Sequence, residues 1–209
     1  MRIIETKVYT LDELSQEAKE AAYENWNIDN YYPYAHENEE TLKRFEEVFP
    51  IEIGHWEYDQ FSGNISYEFE DNEIDIDDIY YDTELKEMCG IRLLKYLHNN
   101  YWNDISSRKF YFAGGGIGIK SKTRHSNFQR EVGNCPFTGY YMDEVILKPI
   151  HDFMKKPDEN INFNDLMDMC LNNWVQACVE DCEWTNSMEC FEDYCEANNM
   201  EFTEDGEIY

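Results

Sequence analysis

The chain has 209 residues, of which 42% are hydrophobic and 16% aromatic; that is enough apolar material for a real core and excludes a disordered acidic tail. Its 45 Asp and Glu against 17 Lys and Arg leave a net charge of −28, so the surface repels nucleic acid and anionic membranes and favours basic partners. No stretch approaches the ~18 uncharged apolar residues of a membrane span. Met1-Arg2-Ile3-Ile4-Glu5 runs into charge with no apolar export segment, so a cytoplasmic protein is expected.

The β-rich, partly alternating run from Ile3 to Tyr9 reads as an opening strand. Leu14, Ala18, Ala21, Ala22 and Trp26 then recur along one helical stripe, with Ser15 as cap and Glu17 in the first turn. Trp26, at the end of that stripe, is expected in the core, with the helix packed on an antiparallel sheet. A second helix is expected from Glu37 to Phe49, stopped by Pro50. Ile51 to Tyr58 and Asn64 to Phe69 alternate as strands around Gln60-Phe61-Ser62-Gly63, and Ile74 to Asp77 extends the sheet with carboxylates on its outer face. Thr83 to about Trp102 has helical periodicity, weakened at Gly90. Lys109 to Phe112 and Ile117 to Lys122 read as strands flanking Gly114-Gly115-Gly116, followed by a helix from Tyr141 to Met154 with Pro149 inside it. Asn164 to Asn198 is helical, broken near Thr185, where Asn186-Ser187-Met188-Glu189 resembles a restart with a capping box. Met200 to Tyr209 closes as a short strand or hairpin through Asp205-Gly206.

Helices and antiparallel strands mix without a βαβ rhythm, so the class is α+β, a mainly antiparallel sheet packed with several helices. A single acidic domain over residues 1–209 is expected, a helical subdomain at 140–199 being the alternative division. No Pro- or Ser-rich linker marks a boundary.

Charge is unevenly distributed. From Glu57 to Glu87 twelve acids face one base, Lys86, and from Pro157 to Tyr209 fifteen acids occur with no Lys, Arg or His. Between Ile105 and Arg130 the pattern inverts, with Arg108, Lys109, Lys120, Lys122, Arg124 and Arg130 and no acid. That basic island either pairs with the acidic surface or meets a partner.

Signatures of chemistry are missing. The Gly114 to Ser121 segment carries Ile119, where a phosphate-binding loop needs Gly before its Lys, so it reads as a glycine-rich hairpin. Of the seven cysteines (Cys89, Cys135, Cys170, Cys178, Cys182, Cys190, Cys195), five fall in the helical C-terminal region, and no His follows His151. Small buried thiols fit that pattern better than zinc or disulfides. His36, His55, His98, His125 and His151 are scattered with no HExxH spacing. No cofactor, metal or catalytic residue is expected. Tyrosines cluster at Tyr31, Tyr32, Tyr34, Tyr80, Tyr81, Tyr140 and Tyr141; aromatic rings beside carboxylates suit a protein interface, but most of these read as ordinary core and strand aromatics.

Three segments belong together: Val8-Tyr9-Thr10-Leu11-Asp12-Glu13-Leu14-Ser15-Gln16-Glu17-Ala18-Lys19-Glu20-Ala21-Ala22, Cys135-Pro136-Phe137-Thr138-Gly139-Tyr140 and Phe202-Thr203-Glu204-Asp205-Gly206-Glu207-Ile208-Tyr209. They resemble a family of acidic proteins from bacteriophages and prophages, often labelled antitoxin-like on the N-terminal segment. The resemblance implies a phage-encoded protein acting in a bacterial cytoplasm and supplies no catalytic residues. Combined with the charge, it leads to the expectation of a non-enzymatic anti-defence protein of the anti-CRISPR or antirestriction type, a DNA mimic. Its partner would be a basic nucleic-acid-binding host protein: a CRISPR effector, nuclease or restriction enzyme. The contact residues expected are Glu180, Asp181, Glu183, Glu189, Glu192, Asp193 and Glu196, with Glu68, Glu70, Asp75 and Asp77 on the sheet. The alternatives are an antitoxin-like protein neutralising a basic toxin and a small nucleotide-binding enzyme using the Gly-rich hairpin.

Overall fold

The computed structural model describes residues 7–29, 32–69, 85–106, 111–113, 122–124 and 136–209. The expected strand residues 3–6 and 74–77, the glycines 114–116, Tyr31, Tyr80, Tyr81, His125 and Cys135 lie outside them.

Helix α1 (Gln16–Asp29) begins at Ser15, whose hydroxyl accepts the Ala18 N–H at 3.2 Å. α2 (Ala35–Val48) ends two residues before Pro50, and β1 (Ile51–Tyr58) pairs with β2 (Gly63–Phe69). The turn between them closes on Asp59, whose carboxylate accepts the amides of Phe61 at 2.7 Å and Ser62 at 2.9 Å. The helix expected from Thr83 to Trp102 is divided: a 3-10 turn at Leu85–Glu87 precedes α3 (Gly90–Asn100) and α4 (Trp102–Ile105). Gly90 therefore starts a helix instead of weakening its interior. Its φ of +57° is a glycine conformation, and a Cβ there would sit 2.9 Å from Glu159 Cγ.

β3 (Tyr111–Ala113) and β4 (Lys122–Arg124) pair antiparallel, with Phe112 opposite Thr123. α5 (Met142–Lys155) runs through Pro149. α6 (Phe163–Thr185) and α7 (Met188–Asn198) break where expected. At the break the Thr185 hydroxyl donates to the Asp181 carbonyl at 2.9 Å, and the Cys182 carbonyl accepts both the Asn186 amide at 3.2 Å and the Asn186 side chain at 2.7 Å, which closes the last turn of the helix. The Ser187 hydroxyl then accepts the Cys190 amide at 3.1 Å and starts α7. The fold is α+β; among the described residues both sheets are two-stranded ribbons and helices form most of the structure.

The chain forms two compact units: Met1–Tyr34 with Tyr58–Gly63 and Cys178–Tyr209, and Ala35–Glu57 with Asn64–Ala177. In the first, among the described residues, α1 packs on α7 and not on a sheet. Leu11, Leu14, Ala18 and Ala22 meet Phe191, Cys195 and Phe202. Tyr9 and Phe202 exchange backbone hydrogen bonds at 2.9 and 2.8 Å, and Phe202 also bridges Ile208 across a turn, the hairpin-like ending the sequence suggested. Trp26 is only half-buried, at 5.2 Å from the Phe191 ring and 6.0 Å from Tyr194, which corrects the expectation of a core position. In the second unit α2 packs on α5, and fully buried Trp174 donates its indole N–H to the Asn38 carbonyl at 3.1 Å. No helix among the described residues is long and apolar enough to cross a membrane.

Candidate functional site: an acidic helical face

Charge follows the division into units. The first unit holds 19 acids against three bases, or −16, and the second 26 against 14, or −12, although the second is nearly twice as long. Residues 178–209 contribute 11 of the 19 acids and no base.

α7 is amphipathic in the ordinary way: Phe191 and Cys195 are buried and the opposite side faces water. Glu189, Glu192, Asp193 and Glu196 all lie on that exposed side. Their spacing of three, one and three residues makes four like-charge pairs at i,i+3 or i,i+4, each repulsive by about 0.2–0.5 kcal/mol before salt screening. Among the described residues none of the four has an ion-pair partner within 4.0 Å. Glu196 stands in the last turn of α7 and Glu183 in the last turn of α6, where the helix dipole disfavours negative charge. Glu189, in the first turn of α7, is favoured by the dipole, whereas the mutual repulsion and the positions of Glu196 and Glu183 cost the fold stability.

On α6, Glu180 and Glu183 are exposed. Asp181 is not part of that row: it is half-buried and accepts a hydrogen bond from the Tyr32 side chain. Desolvation is the main influence on its carboxyl and raises its pKa above the usual Asp value, with the Tyr32 bond acting the other way and Glu180 adding to the rise. Glu68 is exposed on β2 in the second unit, while Glu70, Asp75 and Asp77 lie outside the described residues. The structure thus brings together Glu189, Glu192, Asp193 and Glu196 on α7, with Glu180 and Glu183 on the C-terminal end of α6 in the same unit.

The thiols sit where small apolar side chains sit. Cys170, Cys178, Cys182 and Cys195 are buried. Desolvation raises the pKa of all four, that of Cys195 to about 11, with Asp181 adding to the effect at Cys178 and Cys182. They are thiols at neutral pH, poor nucleophiles and poor metal ligands. Among the described residues no group of three or more His, Cys, Asp or Glu is arranged to hold a metal.

A second polar feature belongs to the other unit. His36, Glu40, Lys43, Arg44 and Glu47, on one face of α2, line a cleft of about 370 Å³ with Phe137, Thr138 and Tyr140. Arg44 pairs with Glu47 at 2.9 Å and Asp104 at 3.4 Å, so charges of both signs already meet there. The 137–140 segment is pinned by Asp143, a fully buried carboxylate. One of its oxygens accepts the amides of Phe137, Thr138 and Gly139 at 2.8–3.1 Å; the other accepts the hydroxyls of Thr138 at 2.8 Å and Thr41 at 3.1 Å. The sequence reading missed this anchor; its only signal was an Asp in a helix's first turn just after a Thr-Gly pair. Of the basic island, Lys122 and Arg124 lie on β4 and Arg108, Lys109, Lys120 and Arg130 are outside the described residues.

No family model matches the chain, and neither a curated protein nor a solved structure matches it.

Proposed function

We propose that the chain is a non-enzymatic inhibitor that occupies the nucleic-acid groove of a basic host protein, acting as a DNA mimic of the phage anti-defence type. The carrying observation is the carboxylate row of α7. Residues 189 to 196 rise about 10.5 Å along the helix axis at 1.5 Å per residue, so the four charges average about 3.5 Å apart in projection. A DNA strand carries one phosphate per ~3.4 Å. A Lys/Arg groove built for phosphates therefore meets a matching axial charge density. That these acids repel one another, and that Glu196 opposes the α7 dipole, supports a role outside folding, since the fold alone gives no reason to keep Glu192, Asp193 and Glu196 together. The phage context rests on the resemblance of the three sequence segments.

The test combines Glu189→Gln, Glu192→Gln, Asp193→Asn and Glu196→Gln. Removing four repulsive pairs should raise stability by about 1 kcal/mol after screening, measured by urea unfolding. The same variant should capture less partner from a bacterial lysate, and partner held by the wild type should be released by duplex oligonucleotide and by salt. Better folding with weaker binding separates function from misfolding. Equal capture by both proteins, with no displacement by DNA, would overturn the proposal.

A further inference from the structure

Nine large hydrophobic side chains are conspicuously exposed among the described residues. Six of them, Tyr34, Phe61, Trp184, Tyr194, Ile208 and Tyr209, belong to the first unit, about a third of the chain and the part with the higher acid density. Burying rings is the ordinary way to gain stability, and keeping them exposed in the most acidic part needs another reason. Trp184 is 51% exposed in the last turn of α6, next to Glu183. Helical side chains lean toward the N-terminus, so its indole lies over the turn that carries Glu180. Tyr194 is 46% exposed, follows Asp193, and is braced on one side by the Trp26 ring at 6.0 Å.

We infer that Trp184 and Tyr194 are stacking platforms for arginine side chains of a basic partner. A guanidinium is planar and weakly hydrated, so it can lie on a ring while its N–H fork reaches a carboxylate in the adjacent turn. A lysine ammonium is a strongly hydrated point charge and gains less there. The face is thereby matched to an arginine-bearing protein segment, not to a merely cationic one. This rests on the reading of the carboxylate row as the contact surface, and its test separates the two.

Fluorescein-labelled nona-arginine and nona-lysine peptides serve as probes, with binding followed by anisotropy over a salt series. Wild type should prefer nona-arginine. Trp184→Ala and Tyr194→Ala should each weaken nona-arginine binding about two- to fivefold and leave nona-lysine unchanged; Trp184→Phe, which keeps a ring, should recover part of the loss. The fourfold α7 variant should weaken both peptides alike. No arginine preference in wild type, or equal effects of the ring variants on both peptides, would overturn the stacking inference. Unchanged binding of both peptides to the α7 variant would instead remove the carboxylate row, while an arginine-selective loss in Trp184→Ala would leave the stacking site standing.

Discussion

Gly206→Ala is the sharpest probe of how the first unit closes. Gly206 has a φ of +86°, and a Cβ built there would fall on the Ala18 carbonyl oxygen, 3.1 Å from its carbonyl carbon and 3.3 Å from the Ala22 amide nitrogen. All three neighbours are α1 backbone, which cannot swing aside as a flexible side chain would. The left-handed conformation costs about 1–2 kcal/mol and the forced separation a further 1–3 kcal/mol. Reduced freedom of the unfolded chain returns about 0.4–1 kcal/mol. The expected net loss is roughly 2–4 kcal/mol. Hydrogen exchange places the loss, because the Tyr9 and Phe202 amides bond to each other's carbonyls beside this turn; their exchange should accelerate about a hundredfold, at ~1.4 kcal/mol per decade. Gly139→Ala is the control, since Gly139 has a φ of +94° with nothing within 4 Å of a built Cβ, so only the backbone cost of about 1 kcal/mol applies. Equal urea midpoints for the two variants, or undisturbed Tyr9 and Phe202 protection in Gly206→Ala, would refute the close seating of the C-terminal turn on α1.

Asp143→Ala should destabilise by roughly 3–5 kcal/mol and Asp143→Asn by about 1–2 kcal/mol, because the amide oxygen can still serve three backbone N–H groups while the hydroxyls rotate to accept its NH₂. Thermal melts with amide exchange at 137–139 check the order, and a loss in Asn as large as in Ala would contradict the described hydrogen bonds. Asp181→Asn should stabilise the protein at neutral pH. The wild-type pKa is raised on folding, so its cost is absent below the unfolded pKa of about 3.8 and grows as pH rises through the folded value. The variant's advantage in Tm should therefore grow from pH 3.5 to pH 7, and an advantage constant with pH would count against desolvation of this carboxyl.

Helices were legible where local periodicity decides them, as in the break between α6 and α7 at Thr185-Asn186-Ser187, whose side chains cap both ends. The failures are those of long-range geometry. Trp26 ends the apolar stripe, which favours a core position, but at 100° per residue it points about 80° away from Ala18, and the tilt toward α7 follows Ala18 and Ala22. Helix propensity makes Gly90 a weak point inside a helix, whereas its positive φ sets it at a helix start and the close neighbour Glu159 lies some 70 residues away in the chain. The acidic run of the candidate site was plain in the sequence, yet counting acids could not reveal that Asp181, one turn from Cys178, faces Tyr32 in place of water. Nor could it reveal that the density of acids is higher in one of two units, because that unit is assembled from segments far apart in the chain.

That interleaving sets an order of events during synthesis. Every residue of the second unit, up to Ala177, leaves the ribosome before Phe202, which joins Tyr9 to the C-terminal turn. At about 5–20 residues per second the interval is roughly one to five seconds. α1 ends at Asp29 and its partner α7 begins only at Met188, roughly 8–32 seconds later at the same rate, and meanwhile its apolar stripe of Leu14, Ala18 and Ala22 must wait beside Glu17, Glu20 and Glu24. Those charges act as gatekeepers against self-association of the nascent chain, and the carboxylate face takes shape after every residue of the second unit has been made.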